Sequence, residues 1–299
     1  MQDDPTRSVE VAGQRGPGTG ADEVLRPLPV TLRTRLFALW GLCWASLMTV
    51  VFAVGFLLAN VVRRRGETFR WWASRWGRSI LFGLGVRLQV TCRAPLQPDQ
   101  PYLFAANHQN ALDIPILAAS LEHAFGFVAK AELEKVPFLG AAIKHSPSVF
   151  VDRRDPRRSL ASIRRAGERI RDGNSVLIFP EGERTFDGRM TSFKKGAFIL
   201  AVEAGVPIVP VTIRDAWTVL DERRRVAWPG TVHVVVGTPI PLAGKTRRDI
   251  PALMATVRER IEAELPPSLR GPSSMDDSSH PAPPDPPDSV SSPDLSTEP

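Results

Sequence analysis

Residues 102–113 read YLFAANHQNALD. An apolar run of strand character breaks into a polar turn, and a helical pattern begins at its far end. The same order returns twice downstream. Residues 149–155 (VFVDRRD) and 176–185 (VLIFPEGERT) each carry an apolar run into a charged turn. Strand-like runs are expected at Leu88–Cys92, Tyr102–Ala105, Gly126–Ala129, Val149–Asp152, Val176–Phe179, Ile208–Ile213 and Val232–Val236. Helical patterns fall between them, at Leu112–Glu122, Phe138–Lys144, Arg157–Asp172, Lys194–Ala204 and Ile250–Glu264, with Gly173 and Gly205 placed as helix stops. Alternation of this kind predicts an α/β domain with a mainly parallel sheet flanked by helices. In open α/β sheets, functional residues collect just beyond strand C-termini, so the three polar turns are expected along one edge.

Upstream lies Leu36–Val62, 27 residues without a charge. As a helix it would be about 40 Å long, more than the ~30 Å hydrocarbon core of a bilayer. A signal peptide fits poorly, because the run is too long for an h-region, starts late and lacks an A-x-A site. We expect an N-terminal membrane-embedded helical segment, either a tilted span or a helix bent near Gly55 that returns to the same side. Arg63, Arg64 and Arg65 follow it directly and Arg26, Arg33 and Arg35 precede it; the tighter cluster places the following domain on the cytoplasmic side. In residues 68–88, Trp71, Trp72, Trp76, Ile80, Leu81 and Leu84 form one helical face, with Arg70, Arg75, Arg78 and Arg87 elsewhere. That pattern suits either a bilayer interface or a helix packed on its own domain.

The expected organisation is a disordered N-terminus (1–27), a membrane segment with an amphipathic interfacial helix (28–86), an α/β domain (87–265) and a disordered Pro/Ser-rich tail (266–299). The net charge is +6. Because the tail holds six acidic residues and one basic one, the cationic excess belongs to residues 1–265. No helix-turn-helix, zinc spacing or RNP-like strand accompanies it, so no nucleic-acid partner is expected. Cys43 and Cys92, the two cysteines, cannot build a disulfide framework, and no His/Cys/Asp cluster has metal-ligand spacing. Oligomeric state is not readable.

His108 and Asp113 stand five apart, a spacing that shares no face of a regular helix. They can meet if His108 lies in the turn and Asp113 in the first helical turn. A carboxylate on His Nδ1–H would then leave Nε2 free as a base; the alternative is Asp113 as a helix cap beside a turn histidine. In the 176–185 cluster Gly182 allows close backbone approach and Arg184 offers a fork of donors to an anion, with Glu181 orienting a base, a backbone group or an Arg. The alternative there is a charged surface turn with a local Glu–Arg pair. Arg153 is a second anion ligand or part of a solvated loop. His123, His145, His233 and His280 read as structural.

The set resembles the 1-acyl-glycerol-3-phosphate (lysophosphatidic acid) acyltransferase family of glycerolipid acyltransferases. The resemblance rests on His-x4-Asp at His108–Asp113, Phe-x-x-Arg at Phe150–Arg153, Phe-Pro-Glu-Gly-x-Arg at Phe179–Arg184 and the apolar block Val206–Val211, over about residues 65–240. Lys130-Ala131-Glu132-Leu133 with Pro137–Gly140 is similar to the stretch between the first two motifs. The resemblance implies a membrane-bound enzyme moving a fatty acyl group from acyl-CoA or acyl-carrier protein to the free hydroxyl of 1-acyl-glycerol-3-phosphate, giving phosphatidic acid. It implies no resident cofactor, and membrane lipids as the surroundings. His108 would be the base and Asp113 its orienter. Arg153 and Arg184 would clamp the acceptor's phosphate, with Glu181 and Gly182 shaping the pocket and Lys130 a weaker candidate for the same anion site or for stabilising the oxyanion. Two residues depart from the family pattern: Glu183 replaces a usual Thr and Pro147 a usual Gly. They motivate a second reading, acylation of another lyso-lipid such as a lyso-ornithine lipid, another lysophospholipid or a lipid A precursor. A non-enzymatic lipid-binding protein that keeps the fold is the third.

Overall fold

The computed structural model describes residues 29–62, 66–151 and 165–271. Its strands are β1 (Val86–Cys92), β2 (Leu103–Ala106), β3 (Phe125–Lys130), β4 (Val149–Val151), β5 (Ser175–Ile178), β6 (Ile208–Arg214), β7 (Leu220–Asp221), β8 (Val226–Ala227) and β9 (Gly230–Val236). Its α-helices are α1 (Leu32–Val62), α2 (Gly66–Gly83), α3 (Asp113–Ser120), α4 (Leu139–Lys144), α5 (165–171), α6 (Gly196–Ala204) and α7 (Ile250–Glu262). Each of the seven anticipated strands is present to within two residues. The start of the helix expected at Arg157 lies outside the described residues, as do 1–28, 152–164 and 272–299. The two-stranded β7–β8 hairpin has no counterpart in the sequence reading, since two residues per strand leave no periodicity to detect.

Among the described residues the main sheet runs β1-β9-β6-β2-β5-β3-β4. Every pairing is parallel except β6 with β9. In β2, Phe104 and Ala106 face one core while Leu103 and Ala105 face the other. Burial on both faces is why these strands read as unbroken apolar runs. The first core takes Ile80 and Leu81 of α2, Leu84 just after it, and Ile116 and Leu117 of α3. The second takes Ala166 and Ile170 of α5, Phe198 and Leu200 of α6, and Leu253, Val257 and Ile261 of α7. The parallel registers bring the C-termini of β2, β5 and β6 side by side, Ala105 opposite Ile178 and Ala106 opposite Val211. The sheet therefore delivers the turn after β2 and the turn after β5 to the same edge.

The α1–α2 pair is antiparallel. Trp40 Nε1 donates to Gly83 O at 3.0 Å, Trp44 Nε1 to Ser79 O at 2.9 Å and Trp76 Nε1 to Thr49 Oγ1 at 3.0 Å, so rising positions in α1 meet falling ones in α2. Indole N–H groups that need partners are satisfied between an apolar helix and an amphipathic one. Helix α1 is unbroken through Gly55. Its outward stripe, including Leu39, Leu42, Leu47, Leu58 and Val61, is exposed. Of the expected apolar face in residues 68–88, Ile80, Leu81 and Leu84 are buried on the protein's own core while Trp71 stays exposed; Phe82, which lies outside that expected face, is exposed too. Close approach fixes the crossing over α3, where a Cβ on Gly77 would stand 2.4 Å from Pro115 O.

The ordered domain extends past the expected boundary at 265. Pro267–Leu269 form a short 3₁₀ turn, Leu269 is 3% exposed, and its carbonyl accepts from Met190 N at 3.0 Å. A single leucine inside a proline-rich stretch docks in the second core, which the composition of the tail as a whole concealed.

Candidate active site

The turn after β2 is held by its three carboxamides. Asn107 Oδ1 accepts from Ile213 N at 2.7 Å and its Nδ2 donates to Ile213 O at 2.9 Å, so a side chain continues the β2–β6 ladder past its end. Gln109 Nε2 also donates to Ile213 O, at 3.0 Å, and its Oε1 accepts from Trp217 N at 3.2 Å. Asn110 Nδ2 reaches Ala216 O at 2.8 Å and Leu220 O at 2.9 Å. All three are buried. Buried amides with satisfied partners lock a loop that has no ladder of its own.

Within this frame His108 Nδ1 and Asp113 Oδ2 are 2.7 Å apart. Asp113 is the first residue of α3 and is fully buried. The same Oδ2 accepts from Gln109 N at 2.6 Å and Asn110 N at 3.0 Å. Both sequence readings of Asp113 thus hold together: it braces the turn and it meets the histidine. Its Oδ1 is buried and has no hydrogen-bond partner among the described residues. Burial pushes the Asp113 carboxyl above its ordinary value, against the hydrogen bond and charge of His108 and the two backbone N–H groups. With the proton of the ring placed on Nδ1 by the carboxylate, Nε2 is left as an acceptor.

Glu181 comes from the turn after β5 and is 3% exposed. Its Oε1 accepts from His108 N at 2.8 Å, and its Oε2 from Thr191 N at 2.7 Å and Thr191 Oγ1 at 2.9 Å. Of the partners weighed for it, a backbone group is the one it takes. Burial raises the Glu181 carboxyl too, opposed by these hydrogen bonds. Phe179 stacks on the His108 ring at 3.8 Å and 11°. Thr185 N donates to His108 O at 3.0 Å, and Phe186 N to Gln109 O at 3.0 Å, so the two turns are stitched together. Gly182 has φ +78°, and a Cβ there would stand 2.8 Å from Lys194 Nζ, which brings an ammonium to this turn.

Arg184 does not pair with Glu181. Its Nη1 donates to Glu222 Oε2 at 2.7 Å and Oε1 at 3.0 Å, and Glu222 Oε1 also accepts from Ala111 N at 2.5 Å. Lys130 ends β3, is exposed, and pairs with Glu132 at 3.5 Å. Arg153 lies outside the described residues. His108, Asp113, Glu181, Gly182 and Arg184 therefore gather at one sheet edge, and Lys130 ends β3, the parallel neighbour of β5, at that same edge. Asn107, Gln109, Asn110, Thr191 and Glu222 escaped the sequence reading. The three carboxamides had a signal, being polar side chains directly after a buried strand; Thr191 and Glu222 had none, since only the fold brings them here. Among the described residues no group of three or more His, Cys, Asp or Glu is placed to hold a metal.

A second pair forms between His233 Nδ1 of β9 and Asp215 Oδ2, at 2.9 Å. Spacing did not reveal it, because Asp215, just past the end of β6, meets His233 only through the β6–β9 pairing. His123 packs against Tyr102 and Phe104 and is lowered by burial; His145 Nδ1 contacts Ala141 O at 2.9 Å. His280 lies outside the described residues.

A mainly parallel sheet with a braced His–Asp pair at its strand ends is the architecture of an acyltransferase domain, and residues 87–214 match the family model described as Acyltransferase. The chain is 31% identical over 243 residues to a chloroplastic 1-acyl-sn-glycerol-3-phosphate acyltransferase of Arabidopsis thaliana, covering 79% of this chain and 67% of that one. It is 35% identical over 180 residues to the beta form of that enzyme from Homo sapiens, covering 60% and 65% of the two chains. With the Chlamydomonas reinhardtii protein of the same name the match, 33% identical, covers 58% of this chain and 51% of the other, so the chain spans about half the length of that relative. The crystal structure of the 1-acyl-sn-glycerophosphate (LPA) acyltransferase PlsC from Thermotoga maritima superposes with a TM-score of 0.65 at 26% identity, covering 78% of this chain and 98% of that one. The chain belongs to the 1-acyl-sn-glycerol-3-phosphate acyltransferase family.

Proposed function

We propose that this chain transfers a fatty acyl group from an acyl thioester, acyl-CoA or acyl-carrier protein, to the free hydroxyl of 1-acyl-glycerol-3-phosphate, giving phosphatidic acid at a membrane surface. The observation that carries the reading is the 2.7 Å contact of His108 Nδ1 with a buried Asp113 that two backbone N–H groups also hold. His108 Nε2 takes the acceptor's hydroxyl proton as its oxygen attacks the thioester carbonyl. The C–S bond breaks, the thiolate leaves, and the proton passes from the imidazolium to sulfur. The ester C–O bond is the one formed, and no acyl-enzyme intervenes. Asp113 favours the imidazolium while it exists. A general base of this kind contributes roughly 10²–10⁴-fold, and holding two substrates in register contributes further. Arg184, with Arg153 and Lys130 as further candidates, grips the acceptor's phosphate. Glu181 holds the backbone of His108, so it positions the base without touching substrate.

The exposed apolar stripe of α1, with Trp71 and Phe82 of α2, supports membrane attachment. The Arg63–Arg65 cluster supports a cytoplasmic catalytic domain. The test is purified full-length protein in detergent with lysophosphatidate and each acyl donor in turn: phosphatidate forms with one of them. No acylation with either donor would sink the proposal. Glu183 and Glu222 beside Arg184 favour one second reading, an acceptor that lacks phosphate. An acceptor panel in which a lyso-lipid without phosphate outpaces lysophosphatidate would move the assignment there.

A further inference from the structure

The turn between β7 and β8 reads Glu222-Arg223-Arg224-Arg225. Three of its four residues are basic, yet the side chain that bonds Arg184 and the turn after β2 is the acid. Glu222 takes a guanidinium N–H from Arg184, at 2.7 and 3.0 Å to its two oxygens, and the backbone N–H of Ala111 at 2.5 Å. A guanidinium and a main-chain N–H converging on one point make an anion site. Here the chain's own carboxylate fills it. Ala111 lies three residues after His108 and two before Asp113, so the filled site abuts the base.

A phosphate bound by these donors needs the space and hydrogen bonds that Glu222 occupies, and two anions in contact repel. The side chains of Arg184 and Glu222 are 41% and 21% exposed, so the pair is partly solvated and the exchange of one anion for another is cheap. Few bonds hold the turn itself, since its ladder is two residue pairs long, Leu220 with Ala227 and Asp221 with Val226. The Arg223 guanidinium lies 4.6 Å from the centroid of the Phe186 ring, and the Arg184 guanidinium 5.4 Å from the same ring. A second cation therefore stands where an incoming dianion would arrive.

We propose that Glu222 is a built-in competitor for the acceptor's phosphate and sets the specificity of the site. It holds Arg184 when no acceptor is bound, and the acceptor must displace it. A doubly charged headgroup displaces it; a neutral one does not. The inference rests on the reading of Arg184 as a phosphate ligand.

The experiment measures initial rates against lysophosphatidate concentration, in detergent micelles at saturating donor, for wild type, E222Q, R184Q and the double variant. E222Q lowers the acceptor KM about two- to fivefold, as befits release of a partly exposed ion pair, and the change falls on KM rather than kcat. Inorganic phosphate inhibits E222Q correspondingly better than wild type. The gain vanishes in the R184Q background. Should E222Q fail to fold, E222D carries the test, because it keeps the charge but withdraws it by one methylene, and its KM falls by a smaller factor. A KM that rises or stays level in E222Q, while R184Q alone raises it, overturns the competitor and leaves the reading of Arg184 standing. A KM that R184Q leaves unaltered overturns both.

Discussion

Among the described residues two His–Asp pairs of nearly equal length form, His108–Asp113 at 2.7 Å and His233–Asp215 at 2.9 Å. Their settings differ. The side chains of the first pair are 13% and 0% exposed, those of the second 34% and 21%. Asp113 is fixed by two backbone N–H groups as well as the ring, and His108 is stacked on Phe179 and held through its backbone at both N and O. Asp215 follows β6 at φ +69° and reaches across to β9. An ion pair in high dielectric is worth little and orients little, whereas a buried one with its donors fixed is preorganised. Contact distance alone does not make a base; what the pair is embedded in does.

The sharpest test of this contrast replaces each ring. His108→Ala is expected to lower the rate of phosphatidate formation by about 10²–10⁴-fold, the range of a general base, while His233→Ala stays within about twofold. Steady-state assays of the two variants in the same detergent decide it. Equal losses would break the comparison and point to the second pair, or to both, as part of the machinery.

Replacing the carboxylates asks the same question of the orienters. Asp113→Asn removes a charge-assisted hydrogen bond, worth roughly 1.5–3 kcal/mol, and should cost about 10- to 100-fold in kcat. Asp215→Asn removes a partly solvated pair worth at most about 1 kcal/mol, felt as stability rather than turnover. Activity and thermal midpoint measured on both variants separate the two, and an Asp215→Asn enzyme losing kcat as Asp113→Asn does would show that burial was the wrong criterion.

The first pair could be anticipated from sequence and the second could not, for a physical reason. His108 and Asp113 share one turn, so spacing bears on them directly. His233 and Asp215 meet only because β9 runs antiparallel to β6, a topology that strand-like runs do not specify. The strands themselves were legible because burial on both faces makes them unbroken apolar runs. Glu222 was not, since it arrives on two-residue strands with no period, and Leu269 was hidden in a proline-rich context. Arg184 was readable as a cation beyond a strand end but not its partner, because the local acids, Glu181 and Glu183, were the ones in view.

The bracing amides make the preorganisation itself testable. Asn110→Ala leaves the carbonyl of Leu220 without this donor, Ala216 O with Val219 N alone at 3.1 Å, and the Leu112 N–H without its acceptor. A loss of about 1–3 kcal/mol in unfolding free energy is expected from the stranded groups, by urea denaturation. A loss below about 0.5 kcal/mol would mean that the turn after β2 holds its shape without these bonds and that the two settings differ less than their geometry indicates.

The smallest effect concerns Glu181, whose carboxyl burial holds above the ordinary value of 4.5. A carboxyl raised on folding contributes its full stability below the unfolded value, where both states are protonated, and that contribution declines as pH rises through the folded value. Gln cannot ionise, so Glu181→Gln lacks the decline. It also presents an amide where Glu181 accepts from His108 N on one oxygen and from Thr191 on the other, which costs a roughly pH-independent amount. The variant should therefore be less stable than wild type at pH 4, with the gap narrowing as pH rises above about 4.5. Thermal midpoints of the two proteins from pH 4 to 8 measure the slope. A gap that widens instead would mean that the three hydrogen bonds outweigh burial and the folded carboxyl lies below its ordinary value. The rigid support under His108 would then come from a stabilised anion rather than from a carboxyl held in place against its own desolvation.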